Sequence, residues 1–223
     1  MTLLTPKIAV VVSRPFAENT YLAQIEGRKD CLIVDPGTEP DQILAYLSQQ
    51  GLTPAAILNT HGHGDHIAGN EPLKAIFPGC PLVIGAKEAP KLADAELNLS
   101  AQYGMAMTSP PADVLVSEGD TYSAAGFDLE VRETPGHSSG HVVFIWKGGS
   151  PWLVFGGDVL FQGSVGRTDF PDGSGRELTA SIKNKLFTLP DDTIVLPGHG
   201  DATTIGEEKR SNPYVGQGSQ KGW

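Results

Sequence analysis

Several features are scarce in this 223-residue chain, and each scarcity closes off a class of protein. Cysteine occurs twice, at Cys31 and Cys80, each alone in an apolar stretch. Two isolated thiols suit core packing in a reducing, cytoplasmic setting better than a disulfide frame or a cysteine metal site. No run approaches the ~18 apolar residues of a membrane span. The apolar run 8–12 has no basic segment before it and no small-residue cleavage site after it, so it reads as a strand and not as a signal peptide. Positive charge is short as well. Sixteen Lys and Arg against 26 Asp and Glu leave a formal charge of −10 with no basic cluster, which argues against a nucleic-acid partner. A Gly-x-Ser-x-Gly elbow is missing and neither cysteine has a histidine near it in sequence, which disfavours covalent nucleophilic catalysis.

Turn-forming residues, in contrast, are plentiful: 27 Gly and 17 Pro imply short elements joined by many turns. A chain of this size buries enough apolar surface to fold without staples, and we expect one domain over 1–215 with a flexible tail at 216–223. Runs at 7–13, 20–25, 31–34, 55–59 and 81–84 read as strands, and 40–50 and 67–77 as helices, with Gly51 closing the first. The second half repeats the theme. Strands are expected at 114–117, 121–123, 127–133, 142–146, 153–155 and 193–196, with helices at 176–186 and 205–211. Residues 85–111 are the least legible, with a short helix near 88–92 and a loop over the site. Two sheets covered by helices, an α/β sandwich, fit this order.

All six histidines fall in Gly-flanked polar motifs. They are His61, His63 and His66 in Thr60-His-Gly-His-Gly-Asp-His66, His137 and His141 in Thr134-Pro-Gly-His-Ser-Ser-Gly-His141, and His199 in Pro197-Gly-His-Gly200. His61 and His63 are two apart after an apolar strand, so in an extended loop both point to one side. Asp65 and His66 follow where the next helix begins, where the helix dipole favours an ionised carboxylate. Asp158, in Gly156-Gly-Asp158, adds a carboxylate at another strand end. Imidazole and carboxylate together suit zinc, with manganese and iron also compatible.

These motifs, together with Leu32-Ile-Val-Asp-Pro-Gly37 and Gly166-Arg-Thr-Asp-Phe170, resemble the metallo-β-lactamase superfamily and within it the glyoxalase II-like hydrolases, over residues 19–213. The resemblance implies an αββα sandwich of two mixed sheets flanked by helices. It implies two divalent ions, zinc first: one held by His61, His63 and His137, the other by Asp65, His66 and His199, with Asp158 bridging. Asp35 and His141 match the pattern without being ligands and are expected to support the site through hydrogen bonds. Catalysis, through Asp65 and Asp158 and a hydroxide between the ions, is implied on a small-molecule thioester such as S-lactoylglutathione.

The residues 200–223 leave no room for the helical domain that supplies basic contacts to glutathione in larger members, so the likeness is to the short branch. Arg167 has two readings. It either clamps a substrate carboxylate, as the Lys at the related glyoxalase II position suggests, or pairs structurally with Asp169 or Asp172. The first alternative function is a mononuclear iron persulfide dioxygenase using His61, His137 and Asp158. That family commonly carries Cys where this chain has Val165. The second is a non-catalytic metal-binding protein. Metal identity, acyl group, thiol carrier and oligomeric state are not written in the sequence.

Overall fold

The computed structural model describes residues 4–219. Strands β1 (Pro6–Ser13), β2 (Glu18–Ile25) and β3 (Asp30–Val34) form an antiparallel meander. Helix α1 (Pro40–Gln50) then returns the chain so that β4 (Thr53–Asn59) lies parallel to β3. Two short helices, α2 (Gly64–Ile67) and α3 (Asn70–Ile76), lead to β5 (Leu82–Gly85), and β6 (Val114–Val116) completes a six-stranded mixed sheet in chain order. A second meander follows: β7 (Thr121–Ala124), β8 (Phe127–Glu133), β9 (Val142–Trp146) and β10 (Leu153–Gly157). After the hairpin β11 (Leu160–Phe161) and β12 (Ser164–Val165), helix α4 (Gly175–Ser181) leads to β13 (Ile194–Pro197), parallel to β10. Strand β14 (Thr203–Thr204) and helix α5 (Ile205–Ser211) close the second six-stranded sheet, ordered β14-β13-β10-β9-β8-β7.

The alternation of side chains along the strands explains the layering. In β3, Leu32 and Val34 join Phe127, Leu129, Phe144, Trp146 and Phe155 between the two sheets. Their neighbours Cys31 and Ile33 face outward onto Ile43 and Leu47 of α1 and Leu73 of α3. In β9, Val143 and Ile145 face outward onto Leu178 of α4, Ile182 and Ile205. Each central strand is thus apolar on both faces, which is why these strands read as continuous hydrophobic runs. The αββα sandwich expected from the sequence is the architecture observed.

Some elements differ from expectation. The helix expected at 67–77 is two pieces, interrupted where the Gly69 nitrogen donates to the Pro36 carbonyl at 2.8 Å and ties this segment to the loop after β3. The helix expected at 176–186 is capped by Ser174, whose side chain accepts from the Glu177 nitrogen, and widens into a π turn over Ile182–Leu186. Residues 85–111 hold two short 3₁₀ turns, Ala89–Ala93 and Ala101–Tyr103. Of the expected tail, 216–219 is described, with the Gly216 and Gln217 nitrogens bonded to the Asn212 and Lys209 carbonyls, and 220–223 lies outside the described residues. No helix among the described residues is long and apolar enough to cross a membrane.

Phe144 is fully buried between the sheets. Phe144→Ala is expected to lower unfolding free energy by about 3–5 kcal/mol, whereas Val10→Ala, at a 49% exposed position, should change it by less than about 0.5 kcal/mol. Urea denaturation of both variants checks the assignment of the inter-sheet core.

Candidate metal centre

The histidine motifs sit where strands end. The segment after β4 carries His61, His63, Asp65 and His66, that after β8 carries His137 and His141, Asp158 follows β10 directly, and His199 follows β13. The strand ends meet closely enough to restrict the backbone. Gly157 adopts φ +46, and a Cβ there would lie 2.3 Å from Thr60 Oγ1 and 2.6 Å from His141 Nε2. Only glycine fits between these two groups.

All seven residues expected to hold ions come together. The donor atoms of His61, His63 and His137 lie within 4.8 Å of one another, and so do those of Asp65, His66 and His199. Asp158 touches both sets: Oδ1 is 3.5 Å from His66 Nε2, and Oδ2 is 3.4 Å from both His137 Nε2 and His199 Nε2. A third grouping, Asp35 with His61 and His66, is wholly buried, its donor atoms again within 4.8 Å of one another.

Outward hydrogen bonds set the tautomers. Thr60 Oγ1 donates to Asp35 Oδ2 at 2.7 Å, so at 3.1 Å it accepts from His61 Nδ1 and leaves the lone pair of Nε2 facing inward. His137 Nδ1 donates to the Arg167 carbonyl at 2.8 Å, and His199 Nδ1 donates to the Phe16 carbonyl at 3.1 Å. Their Nε2 atoms likewise face the cluster. Inside it, His61 Nε2, His63 Nε2, His66 Nε2 and Asp158 Oδ1 are buried and make no hydrogen bond with the protein. Buried polar atoms are nearly always paired, so a convergent set of nitrogen and oxygen lone pairs fits a cation. His141 differs: Nε2 accepts from the Asp158 backbone N–H at 3.1 Å and Nδ1 bonds Thr134 Oγ1 at 3.0 Å. Both its nitrogens are therefore engaged, and the ring orients Asp158. Asp35 braces from the other side, accepting from the Thr60 nitrogen at 2.7 Å and lying 3.2 Å from His66 Nδ1.

The electrostatics divide the cluster. Burial, reinforced by neighbouring imidazoles, holds His61, His63 and His141 well below the ordinary histidine value, and burial lowers His137. Burial also works against His66 and His199, but Asp158 and Asp65 outweigh it and lift them to about 10 and about 11. Burial opposes ionisation of Asp158, yet His66 and His199 prevail and hold it below the usual carboxylate range.

A cavity of about 160 Å³ opens onto the cluster, walled by Phe16, Leu99, Tyr103, Met105, Met107 and Phe170. Phe16 meets Tyr103 edge to face at 5.3 Å. Arg167 lines the cavity, with its guanidinium 4.5 Å over the Phe170 ring and paired bidentately with Asp169 at 2.7 Å. Asp172, the other partner considered for it, binds Lys91 instead. The loop over the site expected within 85–111 supplies Leu99, Tyr103, Met105 and Met107 to this wall, whereas Phe16, from the β1–β2 turn, was missed in the sequence. So were Thr60 and Thr134, hydroxyl partners that directly precede or open histidine motifs, and the buried pair Glu88 and Lys91, whose spacing of three was the available signal.

The metallo-beta-lactamase superfamily model matches residues 13–199. The probable metallo-hydrolase YqgX of Bacillus subtilis is 41% identical over 90% of this chain and 93% of its own. Hydroxyacylglutathione hydrolase GloC of Haemophilus influenzae is 37% identical over 93% of this chain and 97% of its own. Among solved structures, the BLEG-1 B3 metallo-beta-lactamase superposes with a TM-score of 0.88 at 38% identity, over 93% of this chain and 98% of that one. TTHA1623 in a di-iron-bound form gives 0.80 at 38%, over 92% and 98%. ETHE1 from Myxococcus xanthus gives 0.77 at 29%, over 94% and 84%.

In chelator-treated protein the histidines pull stability in two directions. The contribution of His61, His63, His137 and His141 is whole above about pH 6.5 and is lost as pH falls through their depressed folded values. That of His66 and His199 is whole below about pH 6.5 and is lost as pH rises through about 10 and 11. The urea midpoint is expected to peak near pH 6.5 and fall on both sides. A midpoint still rising at about pH 9 would contradict this balance.

Proposed function

The chain belongs to the metallo-β-lactamase superfamily, and on that premise we propose that it is a metal-dependent thioester hydrolase acting on S-acylated thiols of the S-lactoylglutathione type. The observation that carries the proposal is the convergence of unpaired imidazole nitrogens and Asp158 oxygens at the floor of an open cavity. In this reading His61, His63 and His137 would hold one ion, Asp65, His66 and His199 the other, and Asp158 both. When bound, two divalent cations supply hydroxide at neutral pH and polarise the acyl oxygen. Zinc is the expected metal, with iron or manganese compatible with the same donors.

The chain's own residues do the rest. The outward hydrogen bonds of His61 and His137 put their ring protons on the outer side and aim the inner nitrogens, and that of His199 aims a ring whose inner proton a bound cation would displace. Phe16, Tyr103 and the two methionines would give the acyl group an apolar wall. A thiolate leaves without proton assistance, so the cavity needs no separate general acid. Arg167, at the mouth, offers its guanidinium to a substrate carboxylate in exchange for the exposed Asp169, an exchange that is cheap because surface ion pairs contribute little. The buried free thiols of Cys31 and Cys80 suit a cytoplasmic setting.

The likeness to ETHE1 favours the one-iron dioxygenase as a second reading, and the additional Asp65, His66 and His199 set weighs toward two ions. Metal analysis of protein purified without added metal, joined to assays on S-lactoylglutathione and on glutathione persulfide with an oxygen electrode, separates the two. Two equivalents of metal with thioester cleavage are expected. One iron with oxygen consumption would replace the hydrolase reading.

Asp158→Ala should lose metal and turnover together, and His137→Ala should do likewise. His141→Gln should keep metal content near the wild-type level. Parallel metal loss in the His137 and His141 variants would overturn the division between them. Arg167→Ala should raise KM for a glutathione thioester about tenfold, the value of a charge-assisted hydrogen bond, with metal content unchanged. A small neutral thioester should be affected far less, and equal damage to both substrates would leave Arg167 a structural ion pair.

A further inference from the structure

One fully buried carboxylate joins the two main histidine loops without lining the cavity. Glu88 Oε2 accepts from the Gly62 nitrogen, between His61 and His63, at 2.8 Å. Glu88 Oε1 accepts from the Gly140 nitrogen at 2.8 Å and from the Ser138 hydroxyl, both in the loop that carries His137 and His141. Lys91 Nζ balances the charge, lying 3.3 Å from Glu88 Oε2 and 2.7 Å from Asp172 Oδ2 and donating to Ser138 Oγ. Asp172 Oδ2 in turn accepts from the Ser139 nitrogen at 3.1 Å and its hydroxyl at 3.0 Å. Close approach makes this possible: a Cβ on Gly140 would stand 2.6 Å from Lys87 Cβ and 2.8 Å from Glu88 Oε1.

An ionic network buried this deeply is a poor way to stabilise a fold, because apolar groups of the same volume usually serve as well or better. Its value lies in geometry. Two rigid backbone donors on separate loops share one carboxylate, so the distance between the loops is fixed by the width of that group. We propose that Glu88 is a positioning residue for the His61, His63 and His137 set. It sets the separation of His61 and His63 from His137 and so governs the affinity and coordination geometry of that ion selectively. The proposal rests on the reading that these three histidines hold a cation.

The test titrates chelator-treated protein with Co²⁺, following heat and the visible absorption of bound cobalt, alongside the thermal midpoint of the metal-free protein. Glu88→Gln keeps the shape but turns one oxygen into an amide NH₂ that faces N–H and O–H donors, which releases one loop. The expected result is one ion bound as in the wild type and the other about 10–100-fold weaker, with an altered cobalt spectrum for the weakened ion. Asp172→Asn, on the outer and partly exposed end of the relay, should move affinity and spectrum the same way by less. Unchanged affinities and spectra in both variants, or equal weakening of both ions, would overturn the role given to Glu88. If Glu88→Gln does not fold, Asp172→Asn decides alone, and wild-type affinity and spectrum in it overturn the proposal. Wild-type protein that takes up no cobalt would overturn the reading of the centre together with the proposal.

Discussion

Imidazoles and carboxylates crowded into one buried volume are the constraint on which the rest of this structure depends. His61, His66 and His141 have no exposed surface, and His63, His137 and Asp158 have little. Removing such groups from water is costly, and leaving their inner nitrogens unpaired costs more. Within the cluster His61 and His63 are held from protonating by burial and by their imidazole neighbours, while the attraction of His66 and His199 to Asp65 and Asp158 works the other way. The surrounding sandwich must therefore carry the site. Its inter-sheet core of large residues, with Phe127, Phe144, Trp146 and Phe155 all buried, is the source of that excess stability.

The connection between core and site is direct because the strands that pack the core end at the cluster. Strand β4 is hydrogen-bonded on both sides, between β3 and β5, and β10 is held between β9 and β13. Side chains on the residues just beyond them inherit that rigidity. The inner nitrogens of His61, His137 and His199 are then aimed by hydrogen bonds on the outer side of the ring, to Thr60, Arg167 and Phe16. Asp35 and Glu88 do for loops what these bonds do for rings. Both are buried acceptors of backbone N–H groups beside a histidine motif. Metal centres commonly depend on such outer partners for affinity.

The cavity above the cluster has the opposite character. Its wall comes from the β1–β2 turn and the irregular stretch around Tyr103, segments joined by few backbone ladders. Sites of this kind set a rigid chemical floor under an adaptable mouth, and the methionines at positions 105 and 107 can adjust to neighbouring groups of varied shape. Substrate choice is thus located in segments that the core does not determine.

That contrast also divides what the amino-acid sequence determined from what only the tertiary structure decided. The longer strands, the helical segments at 40–50 and 176–186 and the residues of the histidine cluster were legible because each is written locally, whereas the two-residue strands β11, β12 and β14 were not. Hydrophobic runs with turn residues mark β3, β4, β9 and β10, and the donor residues stand in compact motifs at their ends. The split between α2 and α3 was not legible, since it depends on Gly69 bonding a carbonyl some thirty residues earlier, at Pro36. Nor was Glu88, which looks like an ordinary surface acid in the sequence until Gly62 and Gly140 are brought onto it from two other loops. The partner of Arg167 was undecided between two nearby aspartates, and the fold settled it by giving Asp172 to Lys91. Local sequence records which residues are apolar, which turn and which can bind a cation. Which hydrogen bond each polar group makes is a property of long-range proximity, and that exists only once the two sheets have packed.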